Sequence, residues 1–250
     1  SLSEEGEQTW HDAIYVLPGR SNENEDWITG FRLPRALAYG ASVSSDDSLV
    51  LIGGRDATKS YKDVIRLRWN ATARKIEQET LPSLPGPVAY TAADIVGDTL
   101  YLVGGQDLKN PFKVMNNFWA LNLKDLEAGW RELEPWPGSA RKNAVGVRQN
   151  ISRDNYFYLI GGEELKLGDN GEVERNQFSD GYRYSPFSNQ WVPIMAAPQP
   201  IAAAPHIAFG QSHLIVFGGS FENLLDSAFS KDILVYHTIT DTWIKEGKMP

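Results

Sequence analysis

Cysteine is missing from all 250 residues, which excludes a disulfide framework and thiol chemistry and leaves the redox compartment open. No stretch of 18 apolar residues occurs, so no segment qualifies as a transmembrane helix. Positive charge is scarce: 24 Lys and Arg stand against 32 Asp and Glu, for a formal net charge of −8. No block of basic residues interrupts that balance, which argues against a nucleic-acid partner. His11, His206, His213 and His237 lie far apart without metal-ligand spacing, so no metal site is expected. The runs Gly-x-Ser-x-Gly and Gly-x-x-x-x-Gly-Lys-Ser/Thr are absent, which removes a hydrolase elbow and a nucleotide loop. Ser1 opens an acidic, polar segment and not a charged-then-apolar leader, so the expectation is that any export signal has been removed already or never existed.

What the chain does have is a Gly-Gly pair that recurs four times, each on the end of a short apolar run. The runs are Leu49-Val-Leu-Ile-Gly-Gly54, Leu100-Tyr-Leu-Val-Gly-Gly105, Phe157-Tyr-Leu-Ile-Gly-Gly162 and Leu214-Ile-Val-Phe-Gly-Gly219. Their first glycines, Gly53, Gly104, Gly161 and Gly218, are spaced by 51, 57 and 57 residues. A self-similar period near 50 residues marks an all-β, kelch-type β-propeller of four-stranded antiparallel blades.

The rest of each unit keeps the same register. The third unit continues with Tyr184, Trp191 and Pro198, the fourth with Tyr236, Trp243 and Pro250. The second has Trp119, Trp130 and Pro137; in the first, Trp69 takes the aromatic place and Ile76 replaces the tryptophan before Leu81-Pro82. A strand packed between two blades needs apolar residues on both faces. The glycines allow a turn beside a neighbour that a Cβ would obstruct, and the tryptophan covers the face between consecutive blades. Inner strands are expected near residues 36–43, 88–95, 142–149 and 202–209.

Residues 11–34 (Ala13-Ile-Tyr15, Trp27, Leu33-Pro34) read as the two outer strands of a blade with no inner strands before them. Propellers protect their edges by completing one blade from both chain ends. The half-blade finds no matching half after the fourth unit. The expectation is therefore a single propeller domain over residues 1–250, four full repeats plus an N-terminal half-blade, lacking about one and a half C-terminal blades. Unusual closure is the alternative.

Arg35-Ala-Leu-Ala-Tyr39-Gly-Ala-Ser-Val43, followed by Ser48-Leu-Val-Leu-Ile-Gly-Gly54 and Lys62-Asp63-Val64, resembles the last blade of bacterial N-acetylneuraminate mutarotases. Residues 137–162 resemble the second blade of that family, and residues 178–219 its continuation into the third. A last blade placed first is similar to the cyclically permuted branch of these sialic acid mutarotases. The resemblance implies a six-bladed propeller, periplasmic or secreted. It further implies a cofactor-independent mutarotase or epimerase that interconverts anomers of N-acetylneuraminate or a related acidic sugar. The family's Gly-Glu, with an Arg six residues on, belongs to a blade expected beyond Pro250. Gly162-Glu163 with Arg175 is a local echo of that pair at a different spacing, which makes Glu163 and Arg175 weak catalytic candidates.

Opening a cyclic sugar hemiketal needs a base for the anomeric hydroxyl and an acid for the ring oxygen. An arginine suits the sugar carboxylate, because its planar fork bonds two oxygens at once. The loop after each Gly-Gly and the lead-in to each inner strand meet at one mouth of the central channel. Candidates there are Arg35, Arg55, Gln106, Asp107, Arg141, Asn143, Glu163, Glu164, His206 and Glu222, with Arg141, Asn143, Arg55, Arg35 and His206 assigned to substrate binding. Arg141 stands out because it opens an inner strand. Tyr39 and Tyr90 read as packing aromatics. Kelch copper-radical oxidases are excluded by the lack of cysteine, and sialidases by the lack of Ser-x-Asp-x-Gly-x-Thr-Trp turns. The alternative from a different class is a non-catalytic kelch module that binds a protein or glycan through the same mouth.

Overall fold

The structure, a computed structural model, describes residues 8–17, 26–45, 47–168, 171–220 and 229–250. The strands are β1 (Ala13–Val16), β2 (Ile28–Arg32), β3 (Ala41–Ser45), β4 (Ser48–Ile52), β5 (Val64–Asn70), β6 (Lys75–Leu81), β7 (Ala92–Val96), β8 (Thr99–Val103), β9 (Phe118–Asn122) and β10 (Trp130–Glu132). They continue as β11 (Val145–Ile151), β12 (Asp154–Ile160), β13 (Glu163–Leu167), β14 (Val173–Gln177), β15 (Gly181–Ser185), β16 (Gln190–Ile194), β17 (His206–Phe209), β18 (His213–Phe217), β19 (Asp232–His237) and β20 (Thr242–Lys248). Among the described residues there is no helix, and so none long and apolar enough to cross a membrane.

Four antiparallel four-stranded blades form in chain order: β3–β6, β7–β10, β11-β12-β15-β16 and β17–β20. The β1–β2 pair makes a separate two-stranded sheet, and β13–β14 a hairpin inserted after the third Gly-Gly. This is the kelch-type propeller expected from the repeat.

The core lies between blades, which explains the apolar runs. In β8, Leu100 and Leu102 enter a cluster shared with the first blade, while Tyr101 and Val103 enter one shared with the third. In β12, Phe157 and Leu159 face the second blade, and Tyr158 and Ile160 the fourth. A period-2 strand can satisfy both neighbours only if every position is apolar. The tryptophans close the outside of these clusters. Trp130 donates Nε1–H to the Pro82 carbonyl (2.8 Å), Trp191 to Glu134 (3.1 Å) and Trp243 to Met195 (2.9 Å), each just past the outer strand of the preceding blade.

The glycine pair is required by both conformation and space. Gly161 has φ +63° and Gly162 φ +97°, and a Cβ on Gly161 would stand 2.1 Å from the Ile201 carbonyl oxygen. Such a turn lets the Gly162 N–H reach Ile201 O in the next blade at 2.6 Å; Gly54 and Gly105 repeat the bond to Val88 and Arg141.

Inner strands β3, β7, β11 and β17 begin three to five residues later than expected. The lead-in residues form an isolated bridge, at Ala38, Ala89 and Lys142, and then turn through a left-handed residue. That residue is Tyr39, Tyr90, Asn143 and Ala203 in successive blades, with φ between 51° and 59°. Their backbones link blade to blade: Tyr90 N–H donates to Tyr39 O, Asn143 to Tyr90, and Ala203 to Asn143, at 2.7–2.9 Å. Strand pairing therefore starts only once the chain has left this ring.

Candidate functional site

The ring and the residue after each Gly-Gly build the channel mouth together. Arg55, Gln106 and Glu163 pair across backbone bridges with Ala38, Ala89 and Lys142, and Ser220 bonds to Ala202 at the matching place. Side chains at these positions must therefore converge.

Glu163 is the hub. Its carboxylate is 3% exposed and accepts hydrogen bonds from Asn143 Nδ2 (2.9 Å) and Gln177 Nε2 (3.4 Å). Arg175 Nε stands 3.5 Å away, an ion-pair contact without a hydrogen bond, and that Nε–H has no hydrogen-bond partner. The β13–β14 hairpin makes this possible, because its register sets Glu163 opposite Gln177 and brings Arg175 back over the strand. Gln177 also donates to Ser220 Oγ at 2.9 Å, tying the hairpin to the fourth blade.

Lys142 occupies a place held by alanine in the other blades. It is buried, donates Nζ–H to Gln106 Oε1 at 3.0 Å and lies 5.0 Å over the Tyr90 ring. Burial pushes its ammonium below the usual lysine range; Glu163 opposes that, while Arg175 and Arg55 add to it. Arg55 donates Nη1–H to the Tyr90 hydroxyl at 3.3 Å and stacks over Trp10 at 5.6 Å. Tyr39 packs on Tyr90 with ring centroids 4.7 Å apart, meets Trp10 edge-on and stays 44% exposed. In a chain of net charge −8, Arg175 and Lys142 thus stand by one buried carboxylate, with Arg55 close enough to act on Lys142 from the aromatic side.

The structure brings Arg55, Gln106, Asn143, Glu163 and Arg175 together and leaves other candidates elsewhere. Arg141 is fully buried between blades, not at the mouth. Its Nη1 and Nη2 grip Asp180 at 2.7 and 2.9 Å, Nη1 also reaches Gly161 O, and Nε reaches Ser139 O. Arg35 pairs with the corresponding aspartate of the first blade from a different place in the repeat, 3.3 Å from Asp63 and 4.4 Å over the Tyr61 ring, and stays 43% exposed in its side chain. His206 is exposed at the start of β17, where its Nδ1 lies 3.0 Å from Ala204 O. Glu164 is tied to Asn176 and Lys166, Asp107 shapes its own loop, and Glu222 lies outside the described residues. Lys142, Gln177 and Ser220 escape a motif search. Their signal is positional: a lysine where the repeat otherwise has alanine, and a post-glycine segment longer than in the other blades.

The family model described as N-acetylneuraminate epimerase matches residues 81–231, more than half of the chain. The chain belongs to the N-acetylneuraminate epimerase family. An N-acetylneuraminate epimerase of Haemophilus influenzae (strain PittEE) is 25% identical over 202 residues, covering 69% of this chain and 50% of the relative. That of Pasteurella multocida is 24% identical over 213 residues, covering 72% and 52%. The kelch-like protein terF of Aspergillus terreus is 24% identical over 239 residues, covering 90% and 47%. The chain thus spans about half the length of the curated relatives it matches. A solved structure titled "Structure of YjhT" superposes with a TM-score of 0.54 at 21% identity, over 68% of this chain and 54% of that one, and shares the fold.

Proposed function

We propose that this member of the epimerase family interconverts the anomers of N-acetylneuraminate or a related acidic sugar at the channel mouth, without a cofactor. Glu163 carries the reading: a buried carboxylate, aimed by Asn143 and Gln177, with Arg175 beside it. In this role Glu163 takes the anomeric hydroxyl proton and returns it to the ring oxygen, while Arg175 steadies the charge that develops. Arg55 and Lys142 supply the positive field for the sugar carboxylate. Trp10, Tyr39 and Tyr90 offer aromatic faces to the apolar side of the sugar ring. The family names of the relatives support the substrate class. The resemblance supports a periplasmic or secreted setting in carbohydrate metabolism, which cell fractionation tests.

The same proposal takes the four blades and the β1–β2 half-blade as part of a larger ring. Ile207 and Phe209 support that, because both stay exposed on β17, where another blade would pack. Exchange NMR on the anomeric equilibrium tests the activity. Acceleration over buffer at neutral pH is expected; sugar binding without acceleration would favour the non-catalytic kelch module.

A further inference from the structure

The ammonium of Lys142 is buried, 8% exposed over the whole residue, and among the described residues no carboxylate pairs with it. It meets the Gln106 amide oxygen at 3.0 Å and the Tyr90 ring at 5.0 Å. Gln106 is itself held, because its Nε2 donates to Pro111 O, so the oxygen it turns to Lys142 is fixed. Buried charges ordinarily meet a full counter-charge. The fold does not ask for a lysine here, since Ala38 and Ala89 fill the same place in the ring of the first two blades.

Across the ring bridge Lys142 stands directly opposite Glu163, each N–H bonding to the other's carbonyl at 2.9 Å. Residues paired in this way send their side chains to one side, with Cβ atoms roughly 5 Å apart. The two opposite charges nevertheless form no ion pair with each other. Glu163 is held by Asn143 Nδ2 at 2.9 Å, with Arg175 3.5 Å away, and Lys142 is held by Gln106. Neutral amides thus keep a proton donor and a proton acceptor side by side but apart.

We infer that, with the mouth as the reacting site proposed above, Lys142 is the general acid that protonates the sugar ring oxygen while Glu163 takes the anomeric proton. A hemiketal carries two oxygens on one carbon, one losing a proton and the other gaining one, which asks for a base and an acid together. In ring opening the bond from the anomeric carbon to the ring oxygen breaks. Its electron pair goes to the ring oxygen, which takes a proton from the Lys142 ammonium. Glu163 accepts the anomeric hydroxyl proton, and that oxygen becomes the carbonyl. Closure on the other face of the carbonyl reverses both transfers: the neutral amine recovers its proton from the hydroxyl, and Glu163 returns its own to the new anomeric oxygen. Two groups thus divide the work that one carboxylate would do in succession.

An amine in this role works best below the ordinary lysine value of 10.5. Burial pushes Lys142 that way; Glu163 opposes it, while Arg175 and Arg55 add to the push. Burial holds the neighbouring Tyr90 hydroxyl above its own ordinary value of 10.0, against Arg55.

The test is exchange NMR of N-acetylneuraminate anomers with wild type, Lys142→Arg and Lys142→Gln. Arginine keeps the positive charge but does not release its proton. Both variants should therefore lose protein-dependent exchange by roughly 10²- to 10⁴-fold, chiefly in kcat. Lys142→Arg exchanging as fast as wild type would overturn the acid role and leave Lys142 as a fixed charge, as would a Lys142→Gln loss confined to KM. The wild-type pH profile is a second reading that needs no variant. Exchange above the buffer rate should fall along an alkaline limb below pH 10.5, as the ammonium is lost. A profile flat up to that pH would also sink the acid role. Wild type that never exceeds the buffer rate would instead overturn the mouth as the reacting site, and this role with it.

Discussion

Replacing Arg141 by alanine should cost stability and leave the channel mouth chemically intact. The side chain is fully buried and makes four hydrogen bonds: two to Asp180, one to Gly161 O and one to Ser139 O. It also stacks 4.6 Å over Phe178. Removing one partner of a buried pair costs about 3–5 kcal/mol, because the other is left without compensation. Here Asp180 is 39% exposed in its side chain and keeps the Tyr182 hydroxyl at 2.7 Å, which places the loss near the lower end, about 3 kcal/mol. For a domain of this size that lowers Tm by roughly 6–12 °C. The pH dependence adds a signature. Burial raises the Asp180 carboxyl, but the Arg141 hydrogen bonds and charge, with Tyr182, outweigh it and hold the pKa below its ordinary value. A depressed carboxyl contributes stability above its unfolded pKa, about 3.9, and loses it as pH falls through the folded value. Thermal melts of wild type and Arg141→Ala should thus show a gap that is constant near neutrality and narrows below about pH 4. An unchanged Tm together with lost sugar affinity would refute the structural role and return Arg141 to the mouth.

Three further outcomes follow from the packing. Gly161→Ala should destabilise by roughly 3 kcal/mol or more in chemical denaturation, because φ +63° is strained for alanine and its Cβ would overlap Ile201 O; a loss below that of an ordinary surface change would contradict the close approach. Trp243→Phe keeps a ring near Tyr236 but drops the bond to Met195 O, so its loss should be about 1 kcal/mol, and Trp243→Ala should lose clearly more. Tyr182 and Tyr184 are pushed up to about 12, first by burial. Groups raised in the folded state give stability that is complete below their unfolded pKa, about 10, and lost above it. Unfolding and tyrosinate absorbance should therefore rise together between about pH 10 and 12; tyrosinate formation near pH 10 without unfolding would count against these burials.

Most of the fold is legible in the sequence because a kelch blade repeats its constraints. Gly53, Gly104, Gly161 and Gly218 each need the same turn, and Trp130, Trp191 and Trp243 each close the same seam. The inner strands are misjudged by three to five residues because apolar character begins before pairing does: Ala38, Ala89 and Lys142 still belong to the ring around the channel. The site is less legible. Arg141 and Lys142 are adjacent in sequence, yet one faces Asp180 between blades and the other Gln106 at the mouth. Composition marks both as basic, and only the partner, 39 residues away for Arg141, tells them apart. Glu163 and Arg175 look mis-spaced along the chain, and the β13–β14 hairpin is what brings them within 3.5 Å.

Glu163 is the centre of the proposed chemistry. The direct measurement is exchange NMR of N-acetylneuraminate anomers with wild type and Glu163→Gln, alongside sugar binding by each. Glutamine keeps the shape and the Asn143 contact but cannot carry the proton, so exchange should slow by roughly 10²- to 10⁴-fold while binding persists. A Glu163→Gln variant that exchanges the anomers as fast as wild type would contradict the assignment of the mouth as the reacting site.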